Sequence, residues 1–205
     1  MRLKRIPVIS GLGFGLLASL VTGAGAAQRD PIALYGERVV FDIVRNGETI
    51  GHQTLAFKQE NDELTVKVVT DMQVEMLFVT VYRYRYEAVM RWRDGRMREM
   101  VPTTDDDGKL SLVTARFDGR RRVLPNGVTG KLDPITVTDE GPDTVSTPAG
   151  KRAAHRYGVS GALQLTNWYD AEGRWVGLRF KARDGSTIDY VCGQCGPASK
   201  NWPAD

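Results

Sequence analysis

The stretch that decides the fold is residues 80–93, which read TVYRYRYEAVMRWR. Every second position carries a ring or an apolar side chain, and most of the positions between them carry arginine or glutamate. The apolar set is Tyr82, Tyr84, Tyr86, Ala88, Met90 and Trp92. This alternation predicts a strand with two different faces. At roughly 3.3 Å per residue the strand is about 45 Å long, so we expect it to bend across the whole domain.

The two faces of this strand predict its orientation. Burying three tyrosines and a tryptophan, at roughly 150–250 Å² each, gives an upper bound of about 15–25 kcal/mol. The arginines cannot be buried without partners. We therefore predict that the rings face the interior and that the arginines face water.

Turn signals recur along the rest of the chain and separate short alternating stretches. They are Asn46-Gly47, Asn61-Asp62, Asp94-Gly95, Asp107-Gly108, Asp118-Gly119 and Glu172-Gly173. Such turns favour antiparallel neighbours. The sequence predicts an all-β fold: a single curled antiparallel meander of about nine to eleven strands, shaped as a half-barrel or barrel. Little helix is expected after the first 27 residues. The proline-rich residues 120–150 predict a loop with one or two short edge strands.

The first 27 residues have the pattern of a signal peptide. Arg2, Lys4 and Arg5 precede an apolar run over residues 6–21, and Ala24-Gly25-Ala26 offers a cleavage site. We therefore expect export to the periplasm. The predicted organisation is a signal peptide (1–27), an antiparallel β domain (28–191) and a C-terminal tail with Cys-x-x-Cys (192–205).

The numbers of basic and acidic residues indicate which kinds of partner the protein is suited to bind. The chain has 28 basic and 25 acidic residues, and the predicted leader holds three of the basic ones and no acid, so the two signs are equal after cleavage. Nucleic-acid binding, which depends on a basic excess, is therefore not expected. The arginine clusters at residues 91–98 and 120–122 predict either a solvated mixed surface or a patch for an anionic membrane surface.

The cysteines form one motif, Cys192-Gly193-Gln194-Cys195. It follows a predicted strand and is rich in glycine, which favours a structural disulfide between Cys192 and Cys195 over a redox site at a helix N-terminus. A zinc site would also need His52 and His155 to come close to the pair. We predict no metal and no cofactor.

The ring face has two interpretations. In a closed and filled sheet it is only core. In a half-barrel with a concave mouth, Tyr82, Tyr84, Tyr86, Met90 and Trp92 line an apolar groove for a lipid or apolar small molecule. No motif specifies a reaction, so an enzyme is not expected.

Four stretches resemble a known family: residues 35–57, 84–100, 124–131 and 168–190. The specific motifs are the hairpin RNGETIG at 45–51 and the strand pair YDAEGRWVGLRF at 169–180. With these the chain is similar to a family of exported bacterial proteins known as a domain of unknown function. The resemblance implies an all-β periplasmic protein with a curled sheet, distantly similar to the half-barrels of lipoprotein carriers. It implies no catalytic residues.

Three functional hypotheses follow. The preferred one is a non-enzymatic periplasmic protein that binds a lipid-like or apolar ligand, or an envelope partner. The alternative is a thiol-redox or metal-binding protein that uses the C-terminal Cys-x-x-Cys. A third hypothesis, an outer-membrane barrel, is disfavoured because charged residues interrupt the band that would face lipid.

Overall fold

One short helix and thirteen strands make up the part of the chain that the computed structural model describes. That part comprises residues 30–112, 115–116, 123–125, 132–148, 150–161, 164–182, 184–193 and 195–196. The predicted leader and most of the predicted C-terminal tail lie outside it. The elements are α1 (Pro31–Tyr35), β1 (Arg38–Arg45), β2 (Glu48–Glu60), β3 (Glu63–Met76), β4 (Val79–Arg93), β5 (Arg96–Asp106), β6 (Lys109–Leu112), β7 (Ala115–Arg116), β8 (Val123–Pro125), β9 (Leu132–Thr147), β10 (Gly150–Gly161), β11 (Leu165–Tyr169), β12 (Trp175–Lys181) and β13 (Thr187–Cys192).

The predicted fold class is confirmed. Eleven of these strands have four or more residues, and every neighbouring pair is antiparallel. Four turns begin as the sequence predicts, with an asparagine or aspartate at a φ of 49–54°: Asn46, Asn61, Asp94 and Asp107. None of the described helices is long and apolar enough to cross a membrane.

The short helix α1 begins and ends at residues suited to those positions. Asp30 caps it, since its Oδ1 accepts a hydrogen bond from the backbone N–H of Ile32 at 2.9 Å, and Pro31 follows in the first turn. Gly36, at a φ of 79°, ends it. Its last residue, Tyr35, is buried and stacks on Phe57 with ring centroids 5.8 Å apart. The helix thus covers one end of the sheet interior.

The strands form one sheet in which the first and last strands meet in the middle. The order is β6-β5-β4-β3-β2-β1-β13-β12-β11-β10-β9-β8, with β7 beside β5. Each half is a meander, and the two halves join where β1 pairs with β13 and Ile43 lies opposite Tyr190. Within the described residues β6 and β8 end this order and pair with one strand each, so the sheet is open.

The sheet buries one face by curling onto itself. Tyr190 on β13 lies four strands away from β4, which is about 19 Å in a flat sheet. Yet burial raises the pKa of Tyr190, and the nearby hydroxyl of Tyr84 on β4 raises it further. The two hydroxyl groups are therefore close enough to interact electrostatically across the interior. Because α1 is the only helix in the described ranges, the sheet itself supplies most of the cover for its inner face.

The outer face carries the arginines of β4, as predicted. The side chains of Arg85, Arg91 and Arg93 are 58%, 49% and 50% exposed. Exposed pairs of this kind contribute little to stability, so they keep this face hydrated rather than hold the fold together. The pairs are Arg85 with Glu87, Arg91 with Glu99 and Arg93 with Asp62, at 2.8, 2.5 and 3.2 Å.

The expectation for residues 120–150 is wrong over residues 132–147. Instead of a loop with short edge strands, β9 is a sixteen-residue strand that pairs with β10 along most of its length. Pro142 is accommodated because a register shift lies beside it and Gly141 takes a φ of 86°. A proline is tolerated next to such an irregularity, where the ladder is already interrupted.

The carboxylate of Asp184, between β12 and β13, binds Arg45 of β1 and so gives a test of the pairing between β1 and β13. Asp184 accepts hydrogen bonds from Ser186 Oγ at 2.6 Å and from Arg45 at 2.8 Å, and these lower its pKa from 3.8 to about 2. A lowered folded pKa stabilises the protein above the unfolded pKa, and this contribution is lost as the pH falls towards 2. Asp184→Asn should therefore lower the free energy of unfolding at pH 7 by about 1 kcal/mol.

Urea denaturation between pH 7 and pH 3 checks this prediction. The difference between Asp184→Asn and wild type should shrink below about pH 4. The exposed Glu37, changed to Gln, serves as the control. A difference that stays constant over the pH range would contradict the assigned role of the carboxylate.

Candidate ligand-binding site on the inner face

The predicted ligand-binding residues all lie on the inner face of β4. They are Tyr82, Tyr84, Tyr86, Met90 and Trp92, each no more than 5% exposed. Their predicted burial is confirmed. Their contact with a ligand stays a prediction, since the sheet packs over them.

A row of polar side chains crosses this inner face. Gln53, Thr70, Tyr86 and Thr104 lie opposite one another on β2, β3, β4 and β5, and each is 0% exposed. Thr70 Oγ1 donates a hydrogen bond to Gln53 Oε1 at 3.1 Å. We call these four residues the polar row.

Three atoms of the polar row make no hydrogen bond within the described structure. They are Gln53 Nε2, Tyr86 Oη and Thr104 Oγ1. Each buried polar group that is left without a hydrogen bond destabilises the folded state by about 1–3 kcal/mol. Burial raises the pKa of Tyr86, so its hydroxyl stays protonated at neutral pH. The row can therefore donate and accept hydrogen bonds, and it offers no group that titrates near neutral pH.

Sequence reasoning missed three members of the polar row, although the signal was present. Gln53 has the same parity as Leu55 and Phe57. Thr70 has the same parity as Val68 and Met72. A polar residue in phase with an apolar series predicts a buried polar group. The alternation places each residue on the inner face, but only the strand register brings them into one row.

The end of the inner face that is nearer the β3–β4 turn carries an acidic group. Asp106 lies opposite Tyr84, and its Oδ1 accepts a hydrogen bond from the Tyr82 hydroxyl at 2.7 Å. Burial raises the pKa of Tyr82, and the hydrogen bond to Asp106 raises it further. Beyond the polar row the inner face is lined mainly by apolar side chains, with Met90 and Trp92 at the other end of β4.

A cleft opens where β2 leaves β3. The ladder between them ends at the pair Gly51 and Met72, while β3 continues to Met76 beside β4. A register shift between Ile43 and Val44 of β1 turns β2 aside at this point. The cleft has a volume of about 560 Å³ and is lined by Arg45, Glu48, Thr49, Ile50, Gly51, His52, Asp71, Met72, Gln73, Val74 and Glu75.

The cleft lies next to the polar row. Gly51 and Met72 belong to its lining. Gln53 and Thr70 lie two residues away from them along the same strands, at a distance of about 6.6 Å. The cleft is lined mostly by polar and charged side chains, whereas the inner face beyond the row is apolar. The arrangement suits a molecule with a polar group at one end and an apolar body at the other.

The two histidines do not meet the cysteines. His52 is exposed on the outer face, with its Nδ1 2.9 Å from Asp42 Oδ1. His155 is on β10, five strands away in the sheet, and pairs with Asp139. Among the described residues, no group of three or more His, Cys, Asp or Glu side chains is placed to hold a metal ion.

The cysteines stand at the end of the last strand. Cys192 closes β13, and its sulfur lies at disulfide distance from that of Cys195. The two residues are 2% and 7% exposed. A buried, closed pair is typical of a structural disulfide, because redox-active cysteines are partly exposed.

The fold and the site together define a class: an open, curled, antiparallel sheet with a buried inner face and a cleft beside one strand. The chain belongs to the family DUF6134, described as a domain of unknown function, which matches residues 41–127 and 119–193. This confirms the resemblance to an uncharacterised family. No curated protein and no solved structure matches the chain significantly.

Gly51 is the residue that lets β2 and β3 approach each other at the edge of the cleft. A Cβ at this position would overlap the carbonyl oxygen of Asp71 and lie 2.6 Å from Met72 Cα. Since backbone cannot yield as a side chain can, Gly51→Ala should lower the free energy of unfolding by about 1–3 kcal/mol. Urea denaturation measures this.

Gly193→Ala is the matched control for this substitution. Its Cβ would lie 4.0 Å from the nearest atom, Asp42 Oδ2, so stability should stay close to that of wild type. Equal stability of the two variants would contradict the close contact between β2 and β3 at Gly51.

Proposed function

We propose that this protein is exported to the periplasm and binds a lipid-like or apolar ligand without catalysing a reaction. The ligand has one polar group and an apolar body. The observation that carries the proposal is the polar row, which holds unpartnered buried atoms and whose Gln53–Thr70 end lies next to the cleft.

Buried atoms without hydrogen-bond partners support this proposal on energetic grounds. Buried polar atoms are nearly always hydrogen-bonded in folded proteins, so three unpartnered atoms on one row call for a functional explanation. A ligand carboxyl, hydroxyl or amide that reached the row would satisfy Gln53 Nε2 and the Tyr86 hydroxyl together. The neighbouring apolar side chains would then hold its body by burial of apolar surface.

The size of the cleft also fits. Small-molecule sites have volumes of about 300–1,000 Å³, and this cleft has about 560 Å³. The inner face beyond it is packed, so an acyl chain can enter only if β2 and β3 separate further. Separation is easiest at this end, because the ladder between the two strands already stops at Gly51. Similarity to lipoprotein carriers stays a prediction.

Export is supported by the basic, apolar and small-residue segments of residues 1–27. The buried cysteine pair gives thiol chemistry no support. The exposed arginines are ion-paired within the protein, and binding to an anionic membrane surface through them stays a prediction.

Ligand binding is tested by native mass spectrometry of the protein purified from the periplasm, together with titration of a fluorescent fatty acid. We expect an adduct of lipid mass, or saturable uptake of the fatty acid at one site per chain. A clean apo mass with no uptake would contradict the proposal.

Tyr86→Phe separates the ligand role of the polar row from a structural one. Removing an unsatisfied buried hydroxyl should leave the free energy of unfolding unchanged or raise it by up to about 1 kcal/mol. Binding of the fatty acid should weaken about fivefold, the equivalent of one lost hydrogen bond. Tyr157→Phe, on β10 in the other half of the sheet, is the control and should bind as wild type does. A clear loss of stability in Tyr86→Phe would show that the hydroxyl has a structural partner.

A further inference from the structure

The hairpin of β3 and β4 extends beyond the rest of the sheet. On one side, β2 pairs with β3 no further than Met72. On the other side, β5 pairs with β4 no further than Tyr84, and the following turn makes one more hydrogen bond, from Asp107 N–H to the Arg83 carbonyl at 2.9 Å. Residues 73–82 therefore form a two-stranded ribbon whose backbone is in no ladder with the other described strands. At its base Val74 and Tyr82 are buried, and beyond them the ribbon projects from the sheet. We call it the arm.

The tip of the arm is apolar and exposed. Leu77, Phe78 and Val79 are 87%, 100% and 62% exposed. No charged residue occurs from 76 to 82, and the flanking Glu75 and Arg83 carry one charge of each sign. Three adjacent apolar side chains at the end of a projecting ribbon form the kind of patch that marks an interaction site.

The turn at the tip holds its two central residues at backbone angles that bulky residues rarely adopt. Leu77 and Phe78 take φ values of 50° and 66°, a conformation that suits asparagine and glycine and that bulky side chains rarely adopt. The β1–β2 hairpin of the same chain uses Asn46 and Gly47 at φ values of 49° and 94°. Folding stability therefore does not explain a leucine and a phenylalanine at the tip.

The area and charge of the tip favour a bilayer over a protein partner. The three side chains expose roughly 400 Å², about half of the ~800 Å² that each partner buries in a stable protein interface. A narrow, convex and uncharged tip has little surface to match against another protein. A bilayer needs no such matched surface, since apolar side chains can enter its acyl region directly.

We propose that the arm docks the protein on a lipid bilayer by inserting Leu77 and Phe78 below the head groups. The arm also lines the cleft through Gln73, Val74 and Glu75, so docking would bring the mouth of the cleft to the membrane surface. This inference goes beyond ligand binding and does not depend on it, because the tip itself makes the contact with lipid.

The test uses a variant in which the tip receives the turn residues of the β1–β2 hairpin. Leu77→Asn and Phe78→Gly together remove the apolar surface and relieve the turn, so the variant should be at least as stable as wild type. Protein from the soluble fraction is sedimented with phosphatidylcholine vesicles, with and without a quarter of phosphatidylglycerol. We expect wild type to bind both kinds of vesicle and the double variant to bind at least tenfold more weakly.

The chain offers a matched control at β6. Leu110 and Leu112 are also large, apolar and exposed, at 79% and 72%, but they lie on a strand and not on the arm. Leu110→Thr with Leu112→Thr should leave vesicle binding unchanged. A second readout is Phe78→Trp, whose fluorescence should shift to the blue when vesicles are added.

Several results would overturn the proposal. One is equal vesicle binding by wild type and the tip variant, and another is no binding by wild type to either kind of vesicle. A third is a dimer of wild type that the tip variant converts to a monomer without any vesicle binding, which would assign the tip to a second copy of the chain. Each of these is distinct from failure of fatty-acid uptake, which tests the inner face alone.

Discussion

Burial of the ring face of β4 is the constraint on which the rest of the structure depends. Tyr82, Tyr84, Tyr86 and Trp92 lie on one side of a fifteen-residue strand, and little but the sheet is available to cover them in the described ranges. A flat single sheet leaves both faces wet, so the chain can hide these rings only by curling. Curling brings β13 towards β4 across the interior, so that the hydroxyl of Tyr84 raises the pKa of Tyr190. The exposed ion pairs on the outer face contribute little beside this burial.

The same curled sheet carries features that its stability does not require. The polar row interrupts an otherwise apolar inner face and leaves buried atoms without partners. The end of the β2–β3 ladder opens a cleft beside that row. The arm places two bulky apolar residues in a turn that favours small polar ones. All three features involve β3, so a movement of this strand relative to β2 would affect the cleft, the row and the arm together.

The proposals assign these features to successive steps of one task. The arm would meet the bilayer, the cleft would receive the polar end of a molecule, and the row would hold that end while the rings contacted its apolar body. The energetic logic is that unfavourable local features persist where another interaction compensates them. In the free protein the unsatisfied atoms and the strained turn are unfavourable: a ligand would satisfy the atoms, and burial of the tip side chains in a membrane would offset the strain of the turn.

The sequence by itself determined the local features: which residues form most of the strands, which face of those strands is buried, and where most turns fall. Alternation has a period of two, and the turn pairs act over two residues, so both can be read from neighbouring positions. Tertiary structure alone decided the pairing of β1 with β13, the length of β9, the alignment of Gln53, Thr70, Tyr86 and Thr104, and the projection of the arm. These depend on register between strands far apart in the chain, and register is set by the packing of the whole sheet rather than by any one stretch.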